Sequence, residues 1–169
     1  TDRGMDTRTE MSLLTPQEAK KVLRAARGDR LEALYMLALT SDLRRGELFA
    51  LSWSNVDLEN GTLKVAGALL ADGTIAPPKT LKSRRHVAFT KLAIEALQRR
   101  RIIQLEKHLA DSTEWYNEFD RVFTNLVGSP LNPSNFSTRD FPALLRRSGV
   151  KRIRFHDLRH PTASLLLSL

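Results

Sequence analysis

Phe155-His156-Asp157-Leu158-Arg159-His160 opens an apolar helix near the end of the chain and sets a histidine and an arginine three residues apart beside a helix N-terminus. That arrangement suits a phosphate. The first backbone N–H groups of a helix lack intrahelical partners, the helix dipole favours negative charge there, and a guanidinium fork matches two phosphate oxygens. His156 and Arg159 stand about 60° apart around a helix, with His160 on the same side. Leu158, Thr162, Leu165 and Leu169 descend the other side, so one face is chemical and one is core.

Composition narrows the partner. The 169 residues fit one domain, and 27 Lys and Arg against 19 Asp and Glu leave a net charge of +8, which suits a polyanion, with nucleic acid the leading class and a basic protein without such a partner the alternative on charge alone. There is no cysteine, which excludes a disulfide framework and a thiolate metal site and agrees with a reducing compartment. No stretch approaches the ~20 apolar residues of a membrane span, and no signal-peptide core is present. The expected location is the cytoplasm, with no membrane partner.

Outward from the histidine segment, the pattern is mainly helical. Thr15-Pro16-Gln17-Glu18 is a capping box, followed by an apolar face of Ala19, Val22, Leu23 and Ala26 and a stop at Gly28. Residues 31–39 are apolar on most sides, as in a buried central helix, and a second helical run goes from Arg44 through Leu48 and Leu51. Residues 56–58 and 62–65 flank Glu59-Asn60-Gly61 as a β-hairpin, and residues 85–89 read as a third strand. Residues 71–80, with Gly73, Pro77 and Pro78, read as a loop with little structure of its own.

Residues 91–109 form a long amphipathic helix, 122–124 a short extended piece and 128–132 a turn. Residues 131–148 are helical with an interruption at Pro142, Gly149 ends them, and the last helix runs from about Asp157 to Leu169. The fold class expected is α+β, mainly α-helical with a small three-stranded antiparallel sheet.

Two more segments carry candidate chemistry. Arg44, in Leu43-Arg44-Arg45-Gly46-Glu47-Leu48, either pairs with Glu47 three residues on or offers a second guanidinium to a phosphate; the distant His-x-x-Arg favours the second. Lys79, in Pro77-Pro78-Lys79-Thr80-Leu81-Lys82-Ser83-Arg84-Arg85, is either a solvated loop lysine or a proton donor to an alkoxide leaving group. Arg84 and Arg85 point to opposite faces of their strand, so only one can face a given groove.

These three segments together resemble the catalytic domain of the tyrosine recombinases, the phage integrase family. The arginine motif runs Leu43-Arg44-Arg45-Gly46-Glu47-Leu48-Phe49-Ala50-Leu51-Ser52-Trp53, the hairpin lysine is Pro78-Lys79-Thr80, and the box is His156-Asp157-Leu158-Arg159-His160. The resemblance implies that Arg44 and Arg159 hold the scissile phosphodiester, His156 assists proton movement, Lys79 protonates the departing 5′-hydroxyl, and a tyrosine attacks phosphorus. It implies duplex DNA and further recombinase subunits, a tetramer on DNA, as partners, and no cofactor, since two guanidiniums supply the charge a metal would. Lys82, Arg84, Arg85, Arg139, Arg152, Arg154 and His160 are the expected DNA contacts, with Arg146, Arg147 and Lys151 beside them. A non-catalytic DNA-binding derivative is the alternative, and a type IB topoisomerase a remoter one.

Departures from the family pattern set further expectations. Ser41-Asp42 replaces threonine-glycine, and Pro161 stands at a threonine position, so the last helix starts late or bends. Residues 1–11 read as a linker from an N-terminal DNA-binding domain, and 12–169 as the catalytic domain without its nucleophile segment. Tyr35 and Tyr116 lack the nucleophile's context, so this stretch alone is expected not to cut DNA and to bare apolar surface near Leu165, Leu166 and Leu169.

Overall fold

The computed structural model describes residues 14–78, 80, 84–110 and 120–158, together with the backbone of 159. The expectations for Lys79, Lys82, Tyr116, the Arg159 side chain, His160, Pro161, the terminal leucines and the 1–11 linker lie outside the described residues.

Helix α1, Pro16–Ala26, starts with the capping box read from sequence: Glu18 N–H donates to Thr15 Oγ1 and Thr15 N–H to Glu18 Oε1, both at 3.1 Å. Its buried face is Ala19, Val22 and Ala26, and Gly28 takes a φ of 82° just past its end. Helix α2, Glu32–Thr40, buries Ala33, Leu34, Tyr35, Met36, Leu37, Ala38 and Leu39, which makes it the central helix. Helix α3, Arg45–Phe49, is shorter than expected and reaches only Ala50 as its C-cap.

Strands β1, Val56–Asp57, and β2, Thr62–Lys64, form the expected hairpin. The third strand of that antiparallel sheet is β5, His86–Ala88, in register through Leu63 and Val87, both buried. Residues 71–80 are not simply a loop. They carry half of a second, two-stranded sheet, in which β3, Ala68–Leu69, pairs with β4, Ile75–Ala76. Two-residue strands are too short to show a period of two, but the turn chemistry was present: Thr74 N–H donates to Asp72 Oδ1 at 3.0 Å, and Gly73 takes a φ of 88°.

Helix α4, Lys91–Ala110, holds a buried polar row that replaces apolar contacts on one side. Arg100 donates to Val122 O at 3.0 Å, Arg30 O at 3.1 Å and Thr124 Oγ1 at 2.9 Å, while Gln104 accepts from Trp53 Nε1 at 2.7 Å and donates to Val122 O at 3.0 Å. Burial lowers the Arg100 guanidinium to about 10, and the extended 122–124 piece is held against α4 by these side chains.

The stretch read as one interrupted helix begins at Pro133, capped by Asn132, whose side chain accepts from Asn135 N–H at 3.0 Å. It comprises α5, Pro133–Asn135, a π-helical turn Phe136–Asp140, and α6, Phe141–Ser148. The interruption precedes Pro142 instead of falling on it. Phe141 N–H reaches back to Phe136 O, five residues away, and this widened turn accommodates a proline with no N–H of its own. Gly149 closes α6 in the left-handed region.

Phe136 thereby enters a cluster of rings. It meets Phe49 at 5.2 Å and Phe155 at 5.1 Å edge-on, and Tyr35 and Phe141 at 6.1 Å. Phe136→Ala should lower the unfolding free energy by about 4 kcal/mol in a urea titration. Leu126→Ala, at a side chain 62% exposed, should stay within about 0.5 kcal/mol of the parent, and equal losses at both sites would show that the rings are not the core.

Candidate phosphate site

Arg44 is the N-cap residue of α3, extended at φ −79° and ψ 157°, and its side chain is exposed. The ion pair with Glu47, the less favoured of the two readings of Arg44, does not form. Glu47 Oε1 instead accepts the backbone N–H of Arg44 at 2.9 Å, the carboxylate half of a capping box, and its charge goes to Arg85 at 3.0 Å. On the other side α3 lies against the β3–β4 hairpin: a Cβ on Gly46 would stand 3.0 Å from Leu69 O and 3.3 Å from Ala68 Cβ. Glycine is what allows that approach.

The histidine segment is built on alternation. Arg152, Arg154 and His156 are exposed, while Ile153, Phe155 and Asp157 are buried, so the segment sends three basic or titratable side chains outward and anchors the rest. Phe155 is the main anchor, edge-on to Phe136 at 5.1 Å and to Phe141 at 5.4 Å. The helical turn begins at Phe155, earlier than expected, and is a 3₁₀-helix over Phe155–Arg159. Asp157 is not its N-cap. It sits three residues after Arg154 and accepts Arg154 N–H at 3.0 Å and its guanidinium at 3.2 Å, again from inside the first turn.

These two turns meet at one cleft of about 550 Å³, lined by Arg45, Gly46, Ser137, Arg152, Arg154 and His156 over a floor that includes Phe141, Leu145 and Phe155. No carboxylate lines it among the described residues. Arg45 was not singled out from sequence; its Nη1 donates to Ser137 Oγ at 2.9 Å, which turns it toward the π turn. Its only sequence signal was adjacency to Arg44.

The remaining predicted residues fall in different places. Arg139 lines a separate groove of about 440 Å³ with Arg30 and Asn125, and Arg84 is exposed while Arg85 turns inward to Glu47 and Asp42. Arg146 is exposed, Arg147 pairs with Asp29 at 2.8 Å and Lys151 with Glu18 at 4.0 Å. Tyr35 is 1% exposed and burial pushes its phenol far up, so it is a core residue.

Asp157→Ala should cost about 1–2 kcal/mol in chemical denaturation, because the Arg154 N–H loses its acceptor inside the fold. Arg154→Ala should cost about 0.5 kcal/mol or less, since its guanidinium is 77% exposed. The reverse order would remove Asp157 as the cap of the histidine turn.

Comparison with known proteins agrees with this geometry. The family model described as "Phage integrase family" matches residues 12–168. A "Tyrosine recombinase XerC-like" protein of Caldanaerobacter subterraneus subsp. tengcongensis is 32% identical over 94% of this chain and 44% of its own length. The crystal structure of XerA recombinase superposes with a TM-score of 0.72 at 24% identity, covering 92% of this chain and 50% of that one. The Tn1549 transposon integrase, solved in complex with circular intermediate DNA, gives 0.70 at 21% identity over 92% of this chain and 54% of its own. The chain thus spans about half the length of the relatives it matches. With the arginine turn, the His-x-x-Arg turn and a match over nearly its whole length, the chain belongs to the phage integrase family.

Proposed function

We propose that this chain is the catalytic domain of a site-specific recombinase, that it binds the sugar-phosphate backbone of duplex DNA across the arginine and histidine turns, and that cutting and rejoining belong to the full protein. The observation that carries the reading is the 550 Å³ cleft walled by Arg45, Arg152, Arg154 and His156 with no carboxylate among its lining residues. A surface of that kind attracts phosphate and releases counterions on contact. The Tn1549 relative, solved with DNA, supports the same substrate here.

Phosphoryl transfer without a metal needs positive charge around the equatorial oxygens, an activated nucleophile and a proton for the leaving oxygen. Arg44 and Arg159 neutralise the non-bridging oxygens, and His156 holds or moves a proton beside them. As a tyrosine oxygen bonds to phosphorus, the bond to the 5′-oxygen breaks and the Lys79 ammonium gives that oxygen its proton. A phosphotyrosine link conserves the bond energy, and reversal with a different 5′-hydroxyl rejoins the DNA. Tyr35 cannot be that nucleophile from inside the core. Assembly of four subunits on DNA and a cytoplasmic setting belong to the same proposal. No helix among the described residues is long and apolar enough to cross a membrane.

Arg152→Gln and Arg154→Gln should each lower the slope of log affinity against log salt by about 0.9 on a short duplex. Arg99→Gln, on α4 and outside the lining of that cleft, should leave the slope unchanged. For the chemistry, the chain joined to a family-type tyrosine segment should form covalent adducts on nicked duplexes that vanish with Arg44→Ala and with Arg159→Ala. Salt-dependent binding with no adduct on any substrate would favour the non-catalytic DNA-binding alternative.

A further inference from the structure

Arg85, read from sequence as a DNA contact, spends its guanidinium inside the protein. Nη1 donates to Glu47 Oε2 at 3.0 Å and Nη2 to Glu47 Oε1 at 3.2 Å, a two-pronged pair, with Asp42 Oδ1 and Asp42 O each 3.4 Å from Nη2. We propose that Arg85 is a positioning residue that acts on the phosphate through Arg44. This rests on the reading of Arg44 as a phosphate contact.

The Glu47 carboxylate is the junction. Its side chain is 10% exposed, and Oε1 also accepts the Arg44 backbone N–H at 2.9 Å. The planar fork of Arg85 meets both oxygens of this nearly buried carboxylate and fixes their plane at once. Fixing Oε1 fixes the acceptor for the Arg44 N–H. That hydrogen bond matters more here than at a long helix, because α3 has five residues and no propagation to hold its first turn.

The cap therefore decides where α3 starts and where the Arg44 side chain leaves the backbone. Arg85 is itself held by the sheet, since its carbonyl accepts Val65 N–H at 2.9 Å immediately before β5. On the far side, α3 lies so close to the β3–β4 hairpin at Gly46 that a Cβ there would stand 3.0 Å from Leu69 O, which leaves it little room to drift that way. One guanidinium thus ties the β1–β2–β5 sheet to both flanks of Arg44, at Asp42 and at Glu47. Lysine at 85 would keep the charge but not the fork.

The test is a double-mutant cycle read as affinity for a short fluorescent duplex across a salt series, with folding checked by circular dichroism melts. Arg85→Gln and Arg85→Lys should each weaken binding about tenfold when Arg44 is present and less than about twofold in the Arg44→Ala background. The salt slope in that background should not move. An equal loss in both backgrounds with a slope lower by about 0.9 would make Arg85 a direct DNA contact and overturn the proposal. No loss in either background would overturn it as well. Arg44→Ala binding like the parent would remove the phosphate role of Arg44 itself, a failure of the earlier reading that the cycle separates from a failure of Arg85. If Arg85→Gln does not fold, the cycle is read on Arg85→Lys, which keeps a cation beside Glu47.

Discussion

The packing of five rings in the middle of the molecule is the constraint on which the rest depends. Tyr35 comes from α2, Phe49 from α3, Phe136 and Phe141 from the two sides of the π turn, and Phe155 from the histidine segment. Each edge-on or stacked contact adds only about 0.5–1.5 kcal/mol beyond area burial. Their geometric effect is larger. Phe49 lies five residues beyond Arg44 and Phe155 one residue before His156, so fixing those two rings against Phe136 sets the separation of two turns more than a hundred residues apart in sequence.

Local capping then sets the fine position of two candidate residues, Arg44 and Arg154. Glu18, Glu47 and Asp157 each accept the backbone N–H of the residue three before them, which is Thr15, Arg44 or Arg154. In α1 this is ordinary helix initiation. At Arg44 and Arg154 the capped residue is itself a cation, so a short turn is pinned at the point where a guanidinium leaves the chain. The carboxylates stay inward, and the cationic groups stay available on the surface.

The basic character of the chain divides along the same line. Arg100 is fully used by carbonyls and a hydroxyl, Arg121 donates to Ala50 O, and Arg30, Arg85, Arg99 and Arg147 face carboxylates. These arginines build the fold. Arg45, Arg152 and Arg154 line one cleft with no carboxylate among its described lining residues, Arg154 also bonding Asp157, and Arg44 is exposed next to Arg45, so part of the net charge of +8 is gathered at one surface.

Much of this was legible in the sequence because it is local. Helix α1, the apolar α2, the β1–β2 turn and the Gly149 stop follow from capping, periodicity and turn chemistry within a few residues. The His-x-x-Arg spacing and the arginine motif likewise carried the resemblance to the phage integrase family without any coordinates. What the tertiary structure alone decided depends on contacts distant in sequence. Glu47 takes Arg85 over its neighbour Arg44, Arg45 reaches Ser137, the β3–β4 hairpin settles on Gly46, and the interruption before Pro142 becomes a π turn that delivers Phe136 to the ring cluster. Periodicity reports which face of an element is apolar, but which charged partner a carboxylate meets is set by how the elements pack, and that information is in no single stretch of the chain.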